Sequence, residues 1–149
     1  MSTTGLEVFD KTIHVTNTWL KEIMHALGPD RHIAWHVLGT VLRTVRDRVP
    51  IELAAHLGAE LPLLVRGAYY DRFRPGDEPQ KWRSLDDFLA ILSEDFRSLR
   101  PVDPKDAARA VFTVLNHHVN PDQVRKVREA LPEEVRRFWP DGGRIETAA

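Results

Sequence analysis

Apolar residues recur in steps of three and four along most of this chain, and the steps divide it into eight helix-length segments. The clearest stripe is Ala34, Val37, Leu38, Val41, Leu42 and Val45, which marks one buried face of a helix of about four turns. Before it, Phe9, Ile13, Leu20, Ile23, Met24 and Leu27 show the same spacing. Thr4 with Glu7 reads as the capping box of that first helix, and Gly28-Pro29 as its stop. Pro50 opens a short third helix that Gly58 closes, and a fourth runs from about Glu60 through Leu64, Val65 and Ala68 to Tyr70.

Beyond residue 83 the pattern resumes. Ser84 and Asp87 cap a helix whose buried face is Leu85, Phe88, Leu89, Leu92, Phe96 and Leu99. Asp103-Pro104 starts another, which buries Ala107, Ala110, Val111, Val114 and Leu115. Asn120-Pro121 starts a seventh with Val124, Val127 and Leu131, and Pro132 a last short one that ends near Trp139. No segment alternates with period two, so the expected fold class is all-α, a helical bundle without a sheet.

The order long, long, short, short occurs twice. Ala34, Thr40, Val41 and Leu42 match Ala107, Thr113, Val114 and Leu115 at a constant offset of 73, and two deletions bring Pro50 onto Pro121, Leu61-Pro62 onto Leu131-Pro132 and Val65-Arg66 onto Val135-Arg136. The expectation is a single domain of two repeated four-helix units packed into one core. Unit one covers about residues 5–71, a connector residues 72–83, unit two about 84–140, and a frayed tail 141–149.

Size and charge narrow the partners. A chain of 149 residues with 42% apolar content can bury roughly 68–70% of its unfolded surface without a metal or disulfide staple. It contains no cysteine, which removes thiol catalysis and cysteine-based metal sites and fits a reducing cytoplasm. The start, MSTTGLEVFDKT, lacks the basic and apolar regions of a signal peptide, and no stretch reaches the roughly 18 apolar residues of a membrane span. With a formal charge of -1, no whole-chain field draws it to nucleic acid or anionic lipid.

Several stretches together carry a family resemblance: TGLEVFDKT near the start, DRH before the second helix, RDRVPIELAAHLGAELPLLVRGAYY with RP following, and AVFTVLNHHV with LPEEVRRFWP. From about Thr4 to Pro140 the chain resembles the bacterial family named domain of unknown function 2267. The resemblance implies a small all-helical bacterial protein, sometimes beside or fused to regulatory domains, and assigns no activity and no site residues.

The residues offer little catalytic machinery. No serine sits in a glycine-flanked elbow, and no phosphate-binding glycine loop exists. Asp71 to Trp82 imitates a calcium loop only at its first and sixth places and ends on tryptophan where glutamate is needed. His32 and His36 have the spacing of a helical metal pair but lack a third ligand, so no metal and no cofactor is assigned.

Two sets of residues remain. In the connector, Arg72, Arg74, Lys81, Trp82 and Arg83 are candidates for a protein partner. His56, Tyr69, His118 and Trp139 are candidates for a pocket between the units. From Arg43 to Arg83 eight basic side chains face six acidic ones, an excess too small to argue for duplex binding. The leading expectation is a cytoplasmic, non-enzymatic interaction or regulatory module, with a protein partner or self-association. The alternatives are a small-ligand or metal-binding protein and, third, a weak nucleic-acid binder.

Overall fold

The computed structural model describes residues 3–142. Among these residues eight α-helices follow one another and no strand occurs: α1 (Glu7–Leu27), α2 (Arg31–Arg46), α3 (Ile51–Ala59), α4 (Leu63–Tyr70), α5 (Leu85–Asp95), α6 (Pro104–His118), α7 (Pro121–Ala130) and α8 (Glu133–Phe138). The tail expected to fray lies, from residue 143 onward, outside the described residues.

Helix starts follow the polar caps. The Asp30 carboxylate accepts from the backbone N–H groups of His32 and Ile33, Ser84 from Asp87, Asp103 from Lys105, and Asn120 from Asp122. The first helix departs from expectation. Its cap is Leu6, and Thr4 bonds Asp10 and the backbone of Leu6 rather than pairing with Glu7. At the other end of α1, Gly28 has φ +112, a conformation that a side chain would strain. The fourth helix begins three residues later than expected, at Leu63, and the fifth ends at Asp95, with Phe96–Ser98 forming a 3-10 turn.

The core is built around α2 and α6, which touch each other. Ile33, Ala34, Val37, Leu38, Val41, Leu42 and Val45 of α2 are buried, and so are Ala107, Ala108, Val111, Phe112, Val114 and Leu115 of α6. Helices α1 and α5 each pack across both; α4 lies on α1 and α2, α8 on α5, and α3 on α7. Along one side the aromatic rings of Trp82, Phe88, Phe112 and Trp139 form a continuous series, tightest at Phe112–Trp139, whose centroids are 3.9 Å apart and nearly parallel. The Trp139 indole donates to Asn116 at 2.8 Å, so the ring's polar edge is satisfied within the core.

One hydrogen-bond pattern recurs 70 residues apart. Arg66 of α4 reaches the last carbonyls of α3, donating to Gly58 (2.9 Å), Ala59 (3.3 Å) and Leu61 (2.9 Å). Arg136 of α8 does the same to Arg128 (3.2 Å), Glu129 (3.4 Å) and Leu131 (3.0 Å) at the end of α7. In each case a guanidinium satisfies carbonyls that the helix end leaves without an internal partner.

Truncating the centre of the ring series should be costly. Phe112→Ala is expected to lose about 3–5 kcal/mol in urea unfolding, whereas a loss below about 1 kcal/mol would show that the rings do not hold α6 to α8.

Candidate functional site

The connector of residues 72–83 is held at both ends by arginines at and just beyond the end of α2. Arg46, 4% exposed, donates to the carbonyls of Tyr69 (2.6 Å) and Asp71 (2.8 Å), pairs with Asp47 and lies 4.9 Å over the Phe73 ring. Arg48 donates to the carbonyl of Trp82 at 2.8 Å and lies over its ring. Arg43 reaches the carbonyl of Ala68 at 3.0 Å. With Arg66 clamped on α3, four of the eight basic residues between Arg43 and Arg83 are committed to backbone carbonyls of their own chain.

This arrangement divides the connector candidates. Trp82 is not an exposed contact residue: it is 9% exposed, packed on Phe88 and covered by Arg48. The expectation failed because sequence shows a tryptophan in a turn-rich segment and not the arginine that reaches it from 34 residues away. Arg72, Arg74, Lys81 and Arg83 are exposed, with Lys81 3.7 Å from Glu78.

The four pocket candidates do not meet in one cavity. Tyr69 and Trp139 fill the core at 0% and 2% exposure. Tyr69 donates its hydroxyl to the Ala54 carbonyl at 2.6 Å, and burial pushes its phenol pKa well above the usual value. His56 is exposed on α3. His118 stacks on Trp19 and lines a groove between α1 and the start of α4. Nor do His32 and His36 form a metal pair. His32 is exposed while His36 is bound to Asp95 at 2.9 Å, and among the described residues no group of three or more His, Asp or Glu side chains is placed to hold a metal ion.

Three histidines, His36, His117 and His118, instead join distant helices to carboxylates. Glu22 of α1 receives His117 at 2.8 Å on one oxygen and His118 at 2.6 Å on the other. Asp95, at the end of α5, receives His36 and the hydroxyl of Thr40 from α2 on one oxygen. Partial burial pushes both carboxyls up, but the hydrogen bonds and charges around them outweigh it, and both titrate below the usual carboxylate range. Local reading missed both acids because their partners lie 55 to 96 residues away.

Two surface features remain that catalysis does not explain. Beside Glu22, helices α1 and α6 enclose a groove of about 740 Å³. At the start of α1, the apolar face runs past the core. Phe9 and Ile13, expected to be buried, are 47% and 41% exposed, and Leu6, Val8, Leu63 and Leu64 are exposed beside them. The two helix starts are joined by the Thr12 hydroxyl, which accepts from Leu64 N–H at 3.4 Å. They flank a groove of about 400 Å³ lined by Val8, Lys11, Val15, Trp19, Leu61 and Leu63, among others. No local pattern marks this surface, because adjacent apolar pairs like Val8-Phe9 and Leu63-Leu64 also occur in the buried stripe of α2, as Val37-Leu38 and Val41-Leu42.

Among the described residues the fold is all-helical. Residues 16–138 match the model of an uncharacterized conserved protein family, DUF2267, and the chain belongs to that family. A search of the curated proteins finds none that matches. Among the described residues no helix is long and apolar enough to cross a membrane.

The two carboxylates predict the direction of acid sensitivity. A carboxyl whose folded pKa lies below its unfolded one adds stability that is complete above the unfolded value and disappears as pH falls through the folded value. Wild-type protein should therefore lose melting temperature as pH drops from about 5 to about 2. Glu22→Gln and Asp95→Asn should each reduce that loss; an unchanged pH profile in both would contradict the assignment.

Proposed function

We propose that this protein is a non-enzymatic interaction module of the cytoplasm, built from two related four-helix units, that docks an amphipathic helix of a protein partner. The observation that carries this reading is the set of exposed apolar side chains Leu6, at the cap of α1, Val8, Phe9 and Ile13 of α1, and Leu63 and Leu64 of α4, which packs on α1. These side chains keep 41% to 57% of their surface in water, and covering the remainder is worth on the order of 1 kcal/mol for each residue. An apolar groove between the two helix starts, lined by Val8, Leu61 and Leu63 with Lys11 and Arg66, suits the apolar stripe of a helix with acidic flanks.

The alternatives have less support. Half of the basic residues around the connector are committed to backbone carbonyls, which weakens the case for nucleic acid. The remaining exposed set, Arg72, Arg74, Lys81 and Arg83, offers a rim for electrostatic steering rather than a stacking platform. A regulatory role would follow from the partner's identity.

The test compares wild type with Val8→Ser/Leu63→Ser, two exposed residues that line the groove, as bait in an extract of the native host, using Arg72→Ala/Arg74→Ala as a second bait. Both variants change exposed positions, so folding should be altered by no more than about 1 kcal/mol. Proteins retained by wild type and by the arginine variant should be lost from the Val8/Leu63 variant. Equal retention by all three would exclude the α1–α4 face, and concentration-dependent dimerisation removed by the same substitutions would replace a foreign partner with a second copy.

A further inference from the structure

The second open surface, the groove between α1 and α6, can be compared with a filled place in the same molecule. Asp95, His36 and Thr40 come together where α5 packs on α2. Counting 73 positions between the two halves, Asp95 corresponds to Glu22, His36 to Arg109 and Thr40 to Thr113, the same offset that relates the caps Asp30 and Asp103. Glu22, Arg109 and Thr113 all line the α1–α6 groove. Both places are thus built from an acid on the first helix of a unit facing two polar residues one turn apart on the second helix of the other unit.

They differ in what fills them. Between α5 and α2, Ile33 is buried and Ile91 and Leu99 pack against the core. The corresponding residues of the α1–α6 groove are Asp106, Thr18 and Ala26, which supply less apolar volume, and a cavity of about 740 Å³ results. The acids also differ. Asp95 places its carboxylate between His36 and Thr40, whereas Glu22 turns away along α6 and has both oxygens taken by His117 and His118.

Arg109 and Thr113 therefore face the groove without the carboxylate that their counterparts hold. The Arg109 guanidinium is positioned 4.9 Å over the Phe138 ring. Its contact to Asp106 is 3.5 Å long and lies between half-exposed side chains, an ion pair that a bound anion can displace at little cost. The Thr113 hydroxyl donates to the Arg109 carbonyl at 2.8 Å and can rotate to a ligand as Thr40 does to Asp95. Lys21 and His25 stand one turn apart on α1 at the same groove, and Ala26, Ala110 and Val114 supply apolar lining.

We propose that the α1–α6 groove binds a small organic monocarboxylic acid, its carboxylate taken by Arg109 and Thr113 and its apolar body laid over Ala26, Ala110 and Val114. The guanidinium fork suits the planar carboxylate, and the cavity volume falls in the range of small-molecule sites. This inference uses a different face from the α1–α4 surface and stands or falls without it.

The experiment is an amide-resolved NMR titration of the full chain with benzoate and octanoate, and with benzamide and octanamide as uncharged isosteres. Saturable shifts are expected at Lys21, Arg109 and Thr113 with the acids, at least about tenfold weaker with the amides and with Arg109→Gln, which removes the charge-assisted pair. A second variant, Thr18→Ile/Ala26→Leu, restores the side chains found between α5 and α2. It should abolish the shifts and raise the melting temperature by filling the cavity. Shifts that persist in both variants, equal binding of acids and amides, or no saturable shift at millimolar ligand would each overturn the proposal.

Discussion

The pairing of α2 with α6 is the constraint on which the rest of the structure depends. Each helix is buried along most of its length, and α1 and α5 both lie across the two. A half-chain of about 70 residues buries too little apolar surface to be secure alone, so the two halves share one interior. The sharing also explains why acids at the ends of α1 and α5 find partners in the opposite half. Glu22 meets His117 and His118, and Asp95 meets His36 and Thr40.

Around that interior the arginines serve as carbonyl clamps. Arg66 and Arg136 close the ends of α3 and α7, Arg43 and Arg46 hold the end of α4, and Arg48 holds the connector at Trp82. A guanidinium presents several donors in a fixed plane and stays charged, which suits it to helix ends where carbonyls diverge. Such use also weakens any argument from the number of basic residues, because charges consumed inside the chain do not face a partner. What remains open is an apolar face at α1–α4 and a mixed polar and apolar groove at α1–α6.

Much of this fold was legible locally. Ser84, Asp103 and Asn120 each announced a helix start and each makes the expected backbone bond. Thr4 misled because Asp10, six residues on, takes its hydroxyl and Leu6 occupies the cap position. Phe9 and Ile13 misled differently. Their spacing identifies a face of α1, but spacing does not say whether the neighbouring helices extend far enough to cover it. The candidate sites were less legible than the helices. Tyr69 and Trp139, expected to line a pocket, instead fill the core. The Glu22 and Asp95 contacts needed the third dimension, although two acids at the offset that relates other matched positions were a usable clue.

Native-state hydrogen exchange tests the shared interior most directly. If α2 and α6 form one cooperative core, their slowest amides should exchange only through global opening, with the same free energy in both helices and the same dependence on denaturant. Exchange of α5 to α8 as a unit at distinctly lower free energy, while α1 to α4 stay protected, would contradict the account.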